Sequence, residues 1–239
     1  MTFSKRIKEF RQSRKKYIVT IVLAVIVLLL SGYSYWRESD RTKLVYRESL
    51  DREVAEVNGE KLTLSDMAFY VAYEENQVEQ QALAYDAGDT SKYWNLHTNG
   101  TYVRIAARNA TIQMLVHDEI FYQMAVSEGI ELNEEEEETL LLSVQDFWYD
   151  LENEGKEEKL GIDRQTIENA LRKMMYAQKM QLIYSQLQGA SYEDYEFYTD
   201  SYQAFAKTQD VTINENVLKR ISFGNVTLEH DKKEEEKWQ

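Results

Sequence analysis

Cysteine and proline are both absent from the 239 residues, and histidine occurs only three times. Without cysteine there can be no disulfide, thiolate metal site, cysteine nucleophile or lipid-modified cysteine anchor. Without proline, where an average usage of about 5% predicts roughly a dozen, helices can run long and no prolyl bond isomerises slowly during folding. Net positive charge is also lacking, at −14 overall. Residues 1–16 carry +6 and residues 17–36 carry none, which leaves −20 on residues 37–239. A surface this negative repels nucleic acid and anionic headgroups, and no basic stripe offsets it.

The residues that usually carry catalysis are present without their patterns. His97, His117 and His230 are far apart, and none belongs to a His-Glu-x-x-His or His-x-x-Glu-His arrangement. His117, next to Asp118 on an expected helix, reads as a surface or partly buried residue. The acidic run at 134–138 reads as the solvated first turn of a helix, because a calcium loop must bring its ligands together from a turn. There is no Gly-x-Ser-x-Gly elbow for nucleophilic hydrolysis. No catalytic residue, cofactor or metal ligand is assigned.

What the chain does contain begins with an anchor. Residues 17–36 are 20 uncharged residues around an apolar core at 18–30 that includes Leu28, Leu29 and Leu30. As a helix rising 1.5 Å per residue they span about 30 Å, the thickness of the hydrocarbon layer. Tyr17 at one end and Tyr33, Tyr35 and Trp36 at the other match interfacial aromatic belts, and the seven basic residues before them place the N-terminus inside. The expectation is a single-pass protein of a bacterial-type plasma membrane: a cytoplasmic tail at 1–16, a transmembrane helix at 17–36 and an extracytoplasmic domain. The competing reading is a signal peptide cleaved after Gly32-Tyr33-Ser34.

Beyond the anchor the pattern is mainly α. Residues 37–53 are highly charged and read as a stalk. Asn58-Gly59 supplies the positive φ of a tight hairpin within 53–63. Thr63 and Asp66 form a capping signal for a helix running to about Tyr85. Tyr93, Trp94 and Asn95 then sit in a loop as aromatic anchors. A second helix over about 101–128 repeats Ile112, Val116, Ile120 and Met124 on one face, with Leu115 alongside.

In a third helix, Asn133 is the cap and Leu140, Val144, Phe147 and Leu151 are the buried stripe, with Gly155 and the charges to Lys159 breaking it. A fourth, capped by Asp163, turns Ile167, Leu171, Met174, Ala177, Tyr184 and Leu187 inward and closes at Gly189. A shorter helix is expected around Tyr192 to Phe205, followed by strands at 211–213 and 217–223. Whether those strands pair with the hairpin is left open. His230 to Gln239 read as a charged tail, with the domain boundary placed before residue 231.

The segment VAEVNGEKLT at 54–63, followed by SDMAFYVAY, resembles the start of the N-terminal domain of SurA-type and PrsA-type extracytoplasmic foldases. The similarity continues through Tyr93-Trp94-Asn95, AVSEGIELNEEEEE at 125–138 and LGIDRQTIENALRKMMYAQKM at 160–180. It implies a helical chaperone module over about 54–230 that binds unfolded or exported polypeptides. In those foldases a parvulin-type isomerase domain usually follows. Here only residues 189–239 follow the matching part, with His230 their one histidine, so isomerase activity is not expected.

Seventeen tyrosines and seven methionines supply apolar, adaptable surface of the kind that suits promiscuous binding. Tyr192, Tyr195, Tyr198, Tyr202 and Phe205 are the candidate polypeptide-binding residues, since one helix face cannot bury so many aromatics. The alternatives are a module docking one specific envelope or secretion partner, and a degenerate prolyl isomerase.

Overall fold

The tight turn at Asn58-Gly59 starts the fold. Both residues have positive φ, 50° and 87°, so β1 (Glu53–Val57) and β2 (Glu60–Thr63) close as an antiparallel hairpin. In the computed structural model, which describes residues 43–230, β5 (Val211–Ile213) returns to the other side of β1. Its register pairs Ala55 with Ile213 and Val57 with Val211, and the strand order is β2-β1-β5.

Asn58 also clasps the return. Its Oδ1 accepts from the Asp210 N–H at 3.0 Å, its own N–H donates to the Asp210 carbonyl at 2.7 Å, and its Nδ2 reaches Gln123 and Gln209.

Helix α1 (Leu64–Tyr85) begins at a complete capping box, with the Thr63 N–H donating to Asp66 Oδ2 at 2.8 Å. It is buried on most sides: Leu64, Met67, Ala68, Val71 and Ala82 are fully enclosed. A short helix α2 (Ser91–Trp94) and a two-residue hairpin, β3 (His97–Thr98) and β4 (Thr101–Tyr102), lead into α3 (Val103–Ser127). Trp94 is fully buried, so the expected aromatic anchor at 93–95 holds for its indole. Helix α4 (Glu134–Asn153) starts at an Asn133–Glu136 capping box, and α6 (Arg164–Leu187) at Asp163, whose Oδ1 accepts from the Thr166 N–H at 2.9 Å. Between them, two left-handed glycines, Gly155 and Gly161, bracket the short helix α5 (Lys156–Leu160).

Helix α6 packs against α1, α3 and α4. A buried Glu119 on α3 accepts from Lys173 of α6 at 2.8 Å and from Gln123 at 2.9 Å. After α6 come a 3-10 turn at Tyr192–Tyr195 and α7 (Asp200–Ala206), two pieces where one short helix was expected.

Three expectations are corrected. Residues 217–223 form no strand: Asn214 caps a helical turn, α8 (Glu215–Leu218), which buries Val217 and Leu218, and Ile221 is buried beyond it. From Leu44 onward the expected stalk is folded against the domain. The Leu44 N–H donates to the Arg220 carbonyl at 2.8 Å, the Tyr46 hydroxyl to the Leu64 carbonyl at 2.6 Å, and both side chains are buried. Gly161 makes room for this wrap, since a Cβ there would fall 2.6 Å from the Cβ of Arg47. His230, placed at the start of a tail, is buried, with Nε2 3.1 Å from Glu79 Oε2 and its ring 6.2 Å from that of Trp94.

Among the described residues no helix is long and apolar enough to cross a membrane. The expected span at 17–36, with Tyr17, Leu28, Leu29, Leu30, Tyr35 and Trp36, lies outside them, as does the tail at 231–239.

Candidate functional site

Three long helices leave a groove between them. Phe69, Tyr70 and Tyr73 from α1 face Met114, His117 and Asp118 from α3 and Met174, Gln178 and Gln181 from α6. Tyr192, Glu196 and Phe197, after α6, close one side, and the space is about 330 Å³. The spacings account for the walls: 69 and 73, 114 and 118, and 174, 178 and 181 are one or two helical turns apart and so share a face. Phe69 also packs on Phe147 of α4, with ring centroids 4.9 Å apart, which fixes one wall from behind.

The floor is polar and almost fully satisfied. The Tyr70 hydroxyl donates to Asp118 Oδ2 at 2.8 Å, and burial, then the neighbouring carboxylate, raises its pKa well above the ordinary value. His117 Nε2 lies 3.0 Å from the Tyr195 carbonyl, which can only accept, so this nitrogen carries the hydrogen. Its Nδ1 lies 2.8 Å from Asp118 Oδ1. With both ring nitrogens engaged, His117 has none free to act as a base on a bound molecule. Its role is to fasten residues 192–195 over α3. The Tyr192 phenol, pushed up to about 12 by burial and then by Glu196, stays protonated.

The candidate aromatics divide. Tyr202 is 2% exposed, its ring 4.7 Å from that of His117 and 6.2 Å from that of Phe121. Phe205 packs on Tyr184 at 4.8 Å and Phe121 at 5.7 Å, and Tyr195 meets Tyr184 edge-on at 5.0 Å. Those three fasten residues 192–206 to the helices. Tyr192 lines the groove and Tyr198 is 68% exposed. Phe69, Tyr73, Met114, Met174 and Phe197 line the groove without having been singled out from the sequence for binding. The signal that could have found them is a second apolar face on α1, at Phe69 and Tyr73, beside the one at Met67 and Val71.

On the far side of residues 192–206 lies a second depression of about 390 Å³, bounded by Ile112, Val116, Tyr202, Ala206 and β5. Among the described residues no group of three or more histidines or acids is placed to hold a metal ion.

Residues 7–181 match the family model described as SurA-like N-terminal domain. The chain belongs to that family. The match takes in α1, α3, α4 and α6 as far as Gln181, so the helical walls of the groove are family scaffold, while residues 192–197 lie past its end. No parvulin-type isomerase domain is matched. No curated protein and no solved structure matches the chain. A SurA-like domain carries a chaperone-type role, the binding of polypeptides in general.

Proposed function

We propose that this SurA-like protein is a membrane-anchored, extracytoplasmic, non-enzymatic chaperone that holds unfolded or exported polypeptides in the groove between α1, α3 and α6. The supporting observation is the groove's lining: aromatic rings and two methionines around a satisfied polar floor. Such side chains combine large apolar area with low demand for one partner shape. The anchor rests on residues 17–36, and the family match, which begins at residue 7, takes them in. The non-enzymatic part of the proposal is consistent with a match to a SurA-like N-terminal domain alone.

Aggregation of an unrelated unfolded protein, followed by light scattering with equimolar full chain, tests the reading. Suppression is expected, with proline-limited refolding no faster. Tyr73, 41% exposed on the groove wall, is the residue to change. Tyr73→Ser is expected to weaken suppression by severalfold and to shift stability by no more than about 0.5 kcal/mol, as for a surface site. No suppression by the native chain would overturn the proposal. Saturable binding to a single folded protein, and to nothing else, would replace it with a partner-specific module.

A further inference from the structure

The groove's apolar walls say nothing about charge, but its unmatched polar atoms do. Gln181 is fully buried, and its amide orientation is set because Nε2 donates to the Tyr192 carbonyl at 3.0 Å. Its Oε1 is therefore an acceptor, enclosed in the groove's lining, with no hydrogen-bond partner among the described residues. Glu196, half-buried on the closing side, makes no ion pair among the described residues either. Asp118 is committed to Tyr70 and His117. Among the described residues no lysine or arginine lines the groove. Gln178 and the Tyr73 and Tyr192 hydroxyls can also donate, but the charge that the lining offers is the negative one of Glu196, in a region (residues 43–230) with 35 acidic and 16 basic side chains.

We infer that the groove selects polypeptide segments in which a lysine or arginine is flanked by apolar side chains. The cation is taken by Glu196 and the amide oxygen of Gln181. Apolar neighbours lie against Phe69, Tyr73, Met114 and Met174, whose aromatic members also offer ring faces to the cation. This rests on the polypeptide-binding reading and adds a substrate class to it. Charge complementarity fixes the sign: an acidic segment would set a carboxylate against Glu196 with no cation between them.

The test uses the full chain in lipid nanodiscs and three fluorescent peptides with identical apolar residues and a central Arg, Gln or Glu. Anisotropy is expected to give the Arg peptide about tenfold tighter binding than the Glu peptide at low salt, the gap shrinking at high ionic strength. Glu196→Gln is expected to narrow that gap to about twofold, by weakening the Arg peptide more than the other two, with the melting temperature unchanged. Glu128→Gln, an exposed acid at the end of α3, removes the same charge elsewhere and is expected to leave the gap intact.

Equal binding of all three peptides overturns the inference and leaves the chaperone reading standing. So does a gap that survives Glu196→Gln, since the overall charge would then carry it. Binding of none of them overturns the chaperone reading and the inference together.

Discussion

Glu74 sits on α1 one turn beyond Tyr70, half-buried, and burial alone lifts its carboxyl to about 7. An acid whose folded pKa is raised binds more protons folded than unfolded between the two values. Stability therefore falls as pH rises from about 4.5 to about 7, and the loss is complete above that. Discounted for partial exposure, the effect is about 1–2 kcal/mol. Urea unfolding at pH 5 and pH 8 is expected to show the native chain less stable at the higher pH. In Glu74→Gln the slope should flatten and stability at pH 8 should rise by that amount. The same slope in both proteins would show that Glu74 ionises in the fold without penalty.

Such a residue is hard to read from sequence, because its neighbours across the interface decide its burial. Thr63 and Asp66 were legible because their partners are three residues away.

The same contrast separates the elements. Helices α1, α3, α4 and α6 announced themselves through caps and repeating apolar faces, and the hairpin through Asn58-Gly59. Each signal is local. The C-terminal return was only half legible: β5 reads as a strand, whereas the helical turn at 215–218 is hidden because Val217, Leu218, Ile221 and Phe223 suit a short strand as well as a turn. The groove was less legible than the fold, since residues 192–206 stood out by their aromatics and most of those proved to be fastenings.

What closes the C-terminal segment onto α1 was invisible, because it joins residues about 150 apart. Glu75, fully buried, accepts from the N–H groups of Gly224 (2.7 Å), Val226 (3.2 Å) and Thr227 (2.7 Å) and from the Thr227 hydroxyl (2.6 Å). Burial raises its pKa, and those four donors pull it back in part. In Glu75→Gln one oxygen becomes an NH₂ that faces donors, so a loss of about 2–4 kcal/mol is expected. Amide hydrogen exchange at Gly224 and Thr227 should accelerate well beyond that in the middle of α3. Uniform acceleration through α3 as well would mean that the segment opens only with the whole domain.

At the scale of the molecule, charge is distributed by position. Residues 1–16 carry +6, residues 17–36 none, and residues 37–239 carry −20. Basic residues before an apolar run hold that end on the cytoplasmic side, and an acidic domain is repelled from anionic headgroups rather than lying on them. On the proposed anchoring, a chain emerging at the outer side with a basic residue among apolar ones would meet an acidic domain.

Residues 44–52 belong to the folded domain, so on the proposed anchoring at 17–36 only residues 37–43 separate the two in sequence. Alkaline carbonate washing of membranes from cells expressing the full chain tests this arrangement, followed by protease added from outside. The chain is expected to stay with the membrane fraction, the protease to remove residues 43–230, and the N-terminal tail to remain protected. Recovery of the domain in soluble form with Tyr35 as its first residue would show cleavage after Ser34. A freely diffusing domain would then have to find its clients by concentration alone, with no advantage from standing where they emerge.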